Sequence, residues 1–60
     1  MDEQKARAIL GTDVQPDGSL YCLGRYLNYV LGDETACLDA DFTADELEAI
    51  AWWMRNKAGV

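Results

Sequence analysis

Leu20-Tyr21-Cys22-Leu23-Gly24-Arg25-Tyr26-Leu27-Asn28-Tyr29-Val30-Leu31 reads two ways, and the choice decides the fold. As a helix, Leu20, Leu23, Leu27 and Val30/Leu31 line one face, Ser19 caps it and Gly32 stops it. Against that, Tyr26, Tyr29 and Val30 favour strand, and Gly24 interrupts the helical pattern. The next run, Ala36-Cys37-Leu38-Asp39-Ala40-Asp41-Phe42, alternates apolar and polar with a period of two. Joined through Asp33-Glu34, the two runs pair Leu31 with Ala36, Tyr29 with Leu38 and Leu27 with Ala40, all on one face. The reverse face then carries Tyr26, Asn28, Val30, Cys37, Asp39 and Asp41. One register sorts both strands at once, which predicts a β-hairpin over about 25–31 and 36–41. Leu20-Tyr21-Cys22 is a candidate third strand, and an all-α three-helix chain is the alternative.

Downstream, Thr43-Ala44-Asp45-Glu46 has the form of a capping box, with Phe42 and Leu47 spaced as a hydrophobic staple. Asp45 and Glu46 in the first turn and Arg55 and Lys57 in the last suit the helix dipole, and Gly59 offers a stop. A helix over about 44–58 follows. Leu47, Ile50, Ala51, Met54 and Ala58 fall on one stripe with Trp53 on its flank, which predicts that this stripe packs on the hairpin. Trp52 points almost the opposite way, among Asp45, Glu48, Ala49, Arg55 and Asn56. A large ring there either lies under the N-terminal segment of its own chain or serves as a contact residue, since aromatics dominate interface hot spots.

At the other end, Asp2 to Leu10 predicts a short helix with an apolar face of Ala6, Ile9 and Leu10 and a stop at Gly11. Nine residues are too few to hold a helix alone, so it must dock, and the C-terminal helix is the obvious support. Pro16-Asp17-Gly18 signals a turn. The whole reads as α+β in the order helix, turn, hairpin, helix: a single small domain over 1–60.

A chain of 60 residues buries only about 60% of the surface its unfolded form exposes, so its stability is marginal and a second subunit, as in a homodimer, would help it. No apolar run reaches the roughly 18 residues of a membrane span, and Met1-Asp2-Glu3-Gln4-Lys5 lacks the basic start and apolar middle of a secretory signal. A cytoplasmic setting is expected, with Cys22 and Cys37 as free thiols. With no histidine and no second cysteine pair, neither a structural zinc site nor a Ser-His-Asp or Cys-His arrangement is available.

Asp39-Ala40-Asp41-Phe42-Thr43 matches the D-x-D-x-T pattern of haloacid dehalogenase-like phosphoryl transfer. That chemistry needs a larger parallel sheet, and Thr43 is already the cap. Read as a calcium loop from Asp39, the glycine position holds Ala44 and the closing glutamate position holds Ile50. The chain is therefore expected to be no enzyme and to take no cofactor.

Net charge is −6, and Asp33, Glu34, Asp39, Asp41, Asp45, Glu46 and Glu48 fall in a span holding no Lys or Arg. Such a chain is repelled by nucleic acid and attracted to basic protein surfaces. Three readings of the band stand open: a solubilising face, a mimic of a phosphate line that blocks a DNA-binding or CRISPR-type complex, and a docking surface with aromatic anchors. The candidate partner-binding residues are Trp52, Glu48, Asp45, Asp41, Asp39 and Tyr26.

The run Phe42 to Asn56, FTADELEAIAWWMRN, resembles the C-terminal segment of small uncharacterised proteins of bacteriophages and prophages, and Asp17-Gly18-Ser19-Leu20-Tyr21 is similar to the same group. The resemblance covers about two-thirds of the chain and carries no active site. It implies an accessory protein that acts in the host cytoplasm by binding and inhibiting a host protein, restriction and CRISPR machinery included.

Overall fold

A computed structural model describes residues 1–57. Helix α1 spans Glu3–Leu10; its cap Asp2 accepts from the Lys5 amide, and Gly11 ends it. A 3-10 turn over Gly11–Asp13 leads to Val14, which bridges Leu20. Strands β1 (Leu20–Cys22), β2 (Tyr26–Tyr29) and β3 (Cys37–Asp39) form an antiparallel sheet in that order. Helix α2 runs Ala44–Asn56 and begins with the expected capping box: Thr43 Oγ1 accepts from the Glu46 amide, and Glu46 Oε1 accepts from the Thr43 amide. The expected stop at Gly59 and the stripe position Ala58 lie outside the described residues. The α+β architecture expected from the sequence is present, and the third strand with it.

Between Val14 and Leu20 the chain reverses on Pro16-Asp17-Gly18. The Gly18 amide donates to the Gln15 carbonyl at 2.9 Å and the Gln15 amide to the Ser19 carbonyl at 2.8 Å. Gly18 sits at φ 91°, a backbone conformation that L side chains rarely adopt. This connection thus lies against β1 rather than hanging free.

The hairpin register is corrected by two residues: Leu27 pairs with Leu38, not Ala40, and Tyr26 with Asp39. The reversal comes earlier than Asp33-Glu34. The Asp33 amide donates to the Val30 carbonyl at 2.9 Å, with Gly32 at φ 98° in the third place of that turn. A turn of that shape requires positive φ there, which glycine supplies and an acid does not. Residues 30–36 then form the connection, and the strands are shorter than 25–31 and 36–41. A slip of two keeps every side chain on its expected face.

The core holds Ala6, Leu10, Leu20, Leu27, Tyr29, Ala49, Ile50 and Trp53. The expected stripe on α2 is therefore corrected as well. Leu47 and Ala51 are exposed and Met54 is half-buried, while Ala49, Ile50 and Trp53 are buried. Two contacts turn the helix this way. Helix α1 packs on α2 with Ala6 and Ala49 both fully buried, small residues that let helices approach closely. The Trp53 indole N–H donates to the Gly18 carbonyl at 2.7 Å, satisfying the polar end of a ring whose burial removes roughly 150–250 Å² from water. Arg7 and Lys57 lie 5.0 and 5.5 Å from the Trp53 ring centroid, and Glu3 binds both cations at 2.9 Å.

Candidate partner-binding surface

The sheet is covered by the helices on one face only. Leu20, Leu27 and Tyr29 point to the core, so Tyr21, Tyr26, Asn28, Cys37 and Asp39 stand on the other face. Tyr21 and Tyr26 are 47% and 55% exposed. Tyr26 lies opposite Asp39, and Tyr21, Asn28 and Cys37 form one row across the three strands. Val30 continues the β2 alternation and is exposed too, as is Leu23 in the β1–β2 turn.

Of the six candidate residues, the structure brings Tyr26 and Asp39 together here, and Asp41 follows on the path to α2. Asp45, Glu48 and Trp52 lie along one side of α2 at helical spacing. The two groups belong to different layers of the domain, so a flat partner meets one or the other. Asp45 and Glu48 are exposed. Trp52 is half-buried at the core's margin, its ring centroid 6.3 Å from that of Trp53. Tyr21 and Leu23 are absent from the sequence-based surface, whereas Val30 is exposed on the face expected for it. The signal was present, since Tyr21 alternates with Leu20 and Cys22, but its face depends on pairing β1 with β2.

The acids divide sharply by environment. Arg25 pairs with Glu46, approaches Asp13 at 3.9 Å, stacks 4.5 Å over the Phe42 ring and donates to the Asp41 carbonyl at 3.3 Å. Its guanidinium, with help from the Thr43 amide, holds the Glu46 carboxyl at about 2, and Glu46 raises Arg25 in turn. Glu3 is lowered by Lys57 and then by Arg7. The ion pairs among the described residues take up Glu3, Asp13 and Glu46; Asp33, Glu34, Asp39, Asp41, Asp45 and Glu48 enter none of them.

Asp39 stands on the open face of an edge strand, and the Thr43 hydroxyl is engaged by the Glu46 amide. Among the described residues no group of three or more His, Cys, Asp or Glu side chains is placed to hold a metal ion, and no helix is long and apolar enough to cross a membrane. Cys22 and Cys37 are free thiols. They sit on non-adjacent strands and opposite faces, beyond the roughly 7 Å Cα separation a disulfide tolerates.

Comparison with protein-family models, with curated proteins and with solved structures finds no match.

Proposed function

We propose that the chain is a non-enzymatic accessory protein, phage-type in character, that binds a basic surface of a host protein and inhibits it by occupying that surface. The observation that carries this reading is the set of exposed, unpaired acids beside half-exposed Tyr26, with the neighbouring Glu46 neutralised by Arg25. Unpaired acids retain their field for a partner, while an aromatic among them supplies contact area. The displaced carboxyls, Glu3 and Glu46, belong to ion pairs that hold elements together, which favours binding over catalysis. The host context rests on the sequence resemblance of residues 42–56 alone and is part of the proposal.

Tagged protein incubated with bacterial lysate tests it. One basic protein should be retained by the wild type and lost with Tyr26→Ala, the variant's circular dichroism being unchanged. Retention undiminished by Tyr26→Ala would remove the sheet face as the contact. A nucleic-acid mimic is the second reading, supported by the exposed acids Asp33, Glu34, Asp39 and Asp41 within and beside β3; it requires DNA to displace the chain from its captured partner.

A further inference from the structure

Strand β3 is the free edge of the sheet. Its strand partner among the described residues is β2, and no backbone bond reaches it from outside the sheet. The opposite edge, β1, is partly closed by Val14 and by the Gln15 side-chain amide, which donates to the Tyr21 carbonyl. An exposed edge offers a row of unpaired N–H and C=O groups. On the helix-facing side of the sheet and along α2 several apolar side chains remain open. Leu38 is on the helix-facing side of β3, level with buried Leu27, yet it is 39% exposed. On α2, Leu47 is 45% exposed, and Ala51, Met54 and Arg55 line an open recess of about 420 Å³ bordered by Asp33 and Glu34. The core thins out where the sheet ends.

We infer that β3 accepts an additional strand from a protein partner, an extended segment in which apolar residues alternate with lysine or arginine. The inference rests on the binding role proposed above and gives it a chemistry. A strand's side chains alternate between faces. Apolar positions of the added strand fall beside Leu38 and fill the space toward Leu47 and Met54. The intervening basic positions fall on the open face beside Asp39. Main-chain bonds supply affinity in such strand addition, and the alternate side chains supply selectivity. Charge chooses between occupants. Asp39 lies within β3, Asp41 follows it, and Asp33 and Glu34 precede it in the connection from β2, none of them in an ion pair among the described residues. A second copy would bring like charges together, each chain carrying −6. A basic strand meets the same acids with opposite charge.

A short peptide alternating lysine and valine, titrated into the full chain and followed by NMR, tests this. At saturation those amides of Cys37–Asp39 that point away from β2 should exchange about tenfold more slowly or better, and methyl signals of Leu38, Leu47 and Met54 should shift. The glutamate–valine counterpart should not bind. A lysine–valine peptide N-methylated at every residue keeps the charge but has no main-chain donor on either edge, and should bind about tenfold more weakly. Equal binding by that peptide with β3 amides unprotected would overturn strand addition while leaving the acidic surface as a binding site. No binding by either lysine peptide would overturn the inference, with lysate capture then deciding the broader role. Protection of β3 that rises with protein concentration alone would assign the edge to a second copy and overturn it too.

Discussion

Arg25, in the turn between β1 and β2, closes on Glu46 in the first turn of α2, and so ties the sheet to the start of the helix. Glu46 gives one carboxylate oxygen to the capping box and the other to Arg25. The same carboxylate thus fixes the helix start locally and the hairpin tip from a distance.

This pair sets an acid limit on stability. Glu46 titrates at about 2 against an ordinary 4.5, and Glu3 is lowered as well. A depressed carboxyl contributes stability that is complete above its ordinary value and is lost as pH falls through its folded value. The melting temperature should hold down to roughly pH 4.5 and fall between there and about pH 2. Glu46→Gln should start lower at neutral pH and remove most of that fall. Parallel profiles for the two proteins would show that other acids govern the transition.

Trp53, not the Leu47 stripe, is the centre of the helix–sheet contact. Trp53→Ala should cost about 3–5 kcal/mol, comparable with the roughly 3–9 kcal/mol expected for a chain this size. Near-UV circular dichroism should then show loss of fixed packing. Ile50→Ala should cost about 2–5 kcal/mol, and Leu47→Ala about 1 kcal/mol or less. Denaturant midpoints that rank Leu47→Ala above Ile50→Ala would restore the face expected from sequence.

Removing the cap isolates local from tertiary stabilisation. Thr43→Ala deprives the Glu46 amide of its acceptor and should cost about 1 kcal/mol. In a domain this small that corresponds to a drop of roughly 4–8 °C in melting temperature. Calorimetry showing no change would mean water replaces the hydroxyl without penalty.

The thiols should differ in reactivity. Cys37 is exposed on the edge strand and Cys22 faces inward, half-buried. A chromogenic thiol reagent should label Cys37 well before Cys22 in the native chain. Mild oxidation should give a Cys37-linked dimer and no intrachain bridge, which non-reducing electrophoresis reads directly.

Much of this architecture is legible in the residues. Local signals with their partners close in sequence are readable: the Thr43–Glu46 box, the Gly11 stop, the Pro16-Asp17-Gly18 turn and the alternation of 36–42. The rotation of α2 is not, because periodicity ranks Leu47 and Trp53 by hydrophobicity alone. Which one turns inward depends on the Gly18 carbonyl, 35 residues away, and on Ala6 from another helix. The register is hidden for a related reason: a loop at Asp33-Glu34 satisfies the alternation equally well, and only the positive φ of Gly32 moves the reversal to Val30–Asp33. Of the candidate surface, the acids were visible as a run, but their division into Glu46 held by Arg25 and the rest left unpaired depends on a contact across 21 positions.

The central claim is that these unpaired acids recognise a basic partner. It is tested most directly by the affinity of the protein captured from lysate for wild type against the double variant Asp39→Asn, Asp41→Asn, measured at low and at physiological salt. The account predicts that wild-type binding weakens markedly as salt rises, and that the variant binds more weakly at low salt with a flatter salt dependence. Equal affinities with the same salt dependence would contradict it.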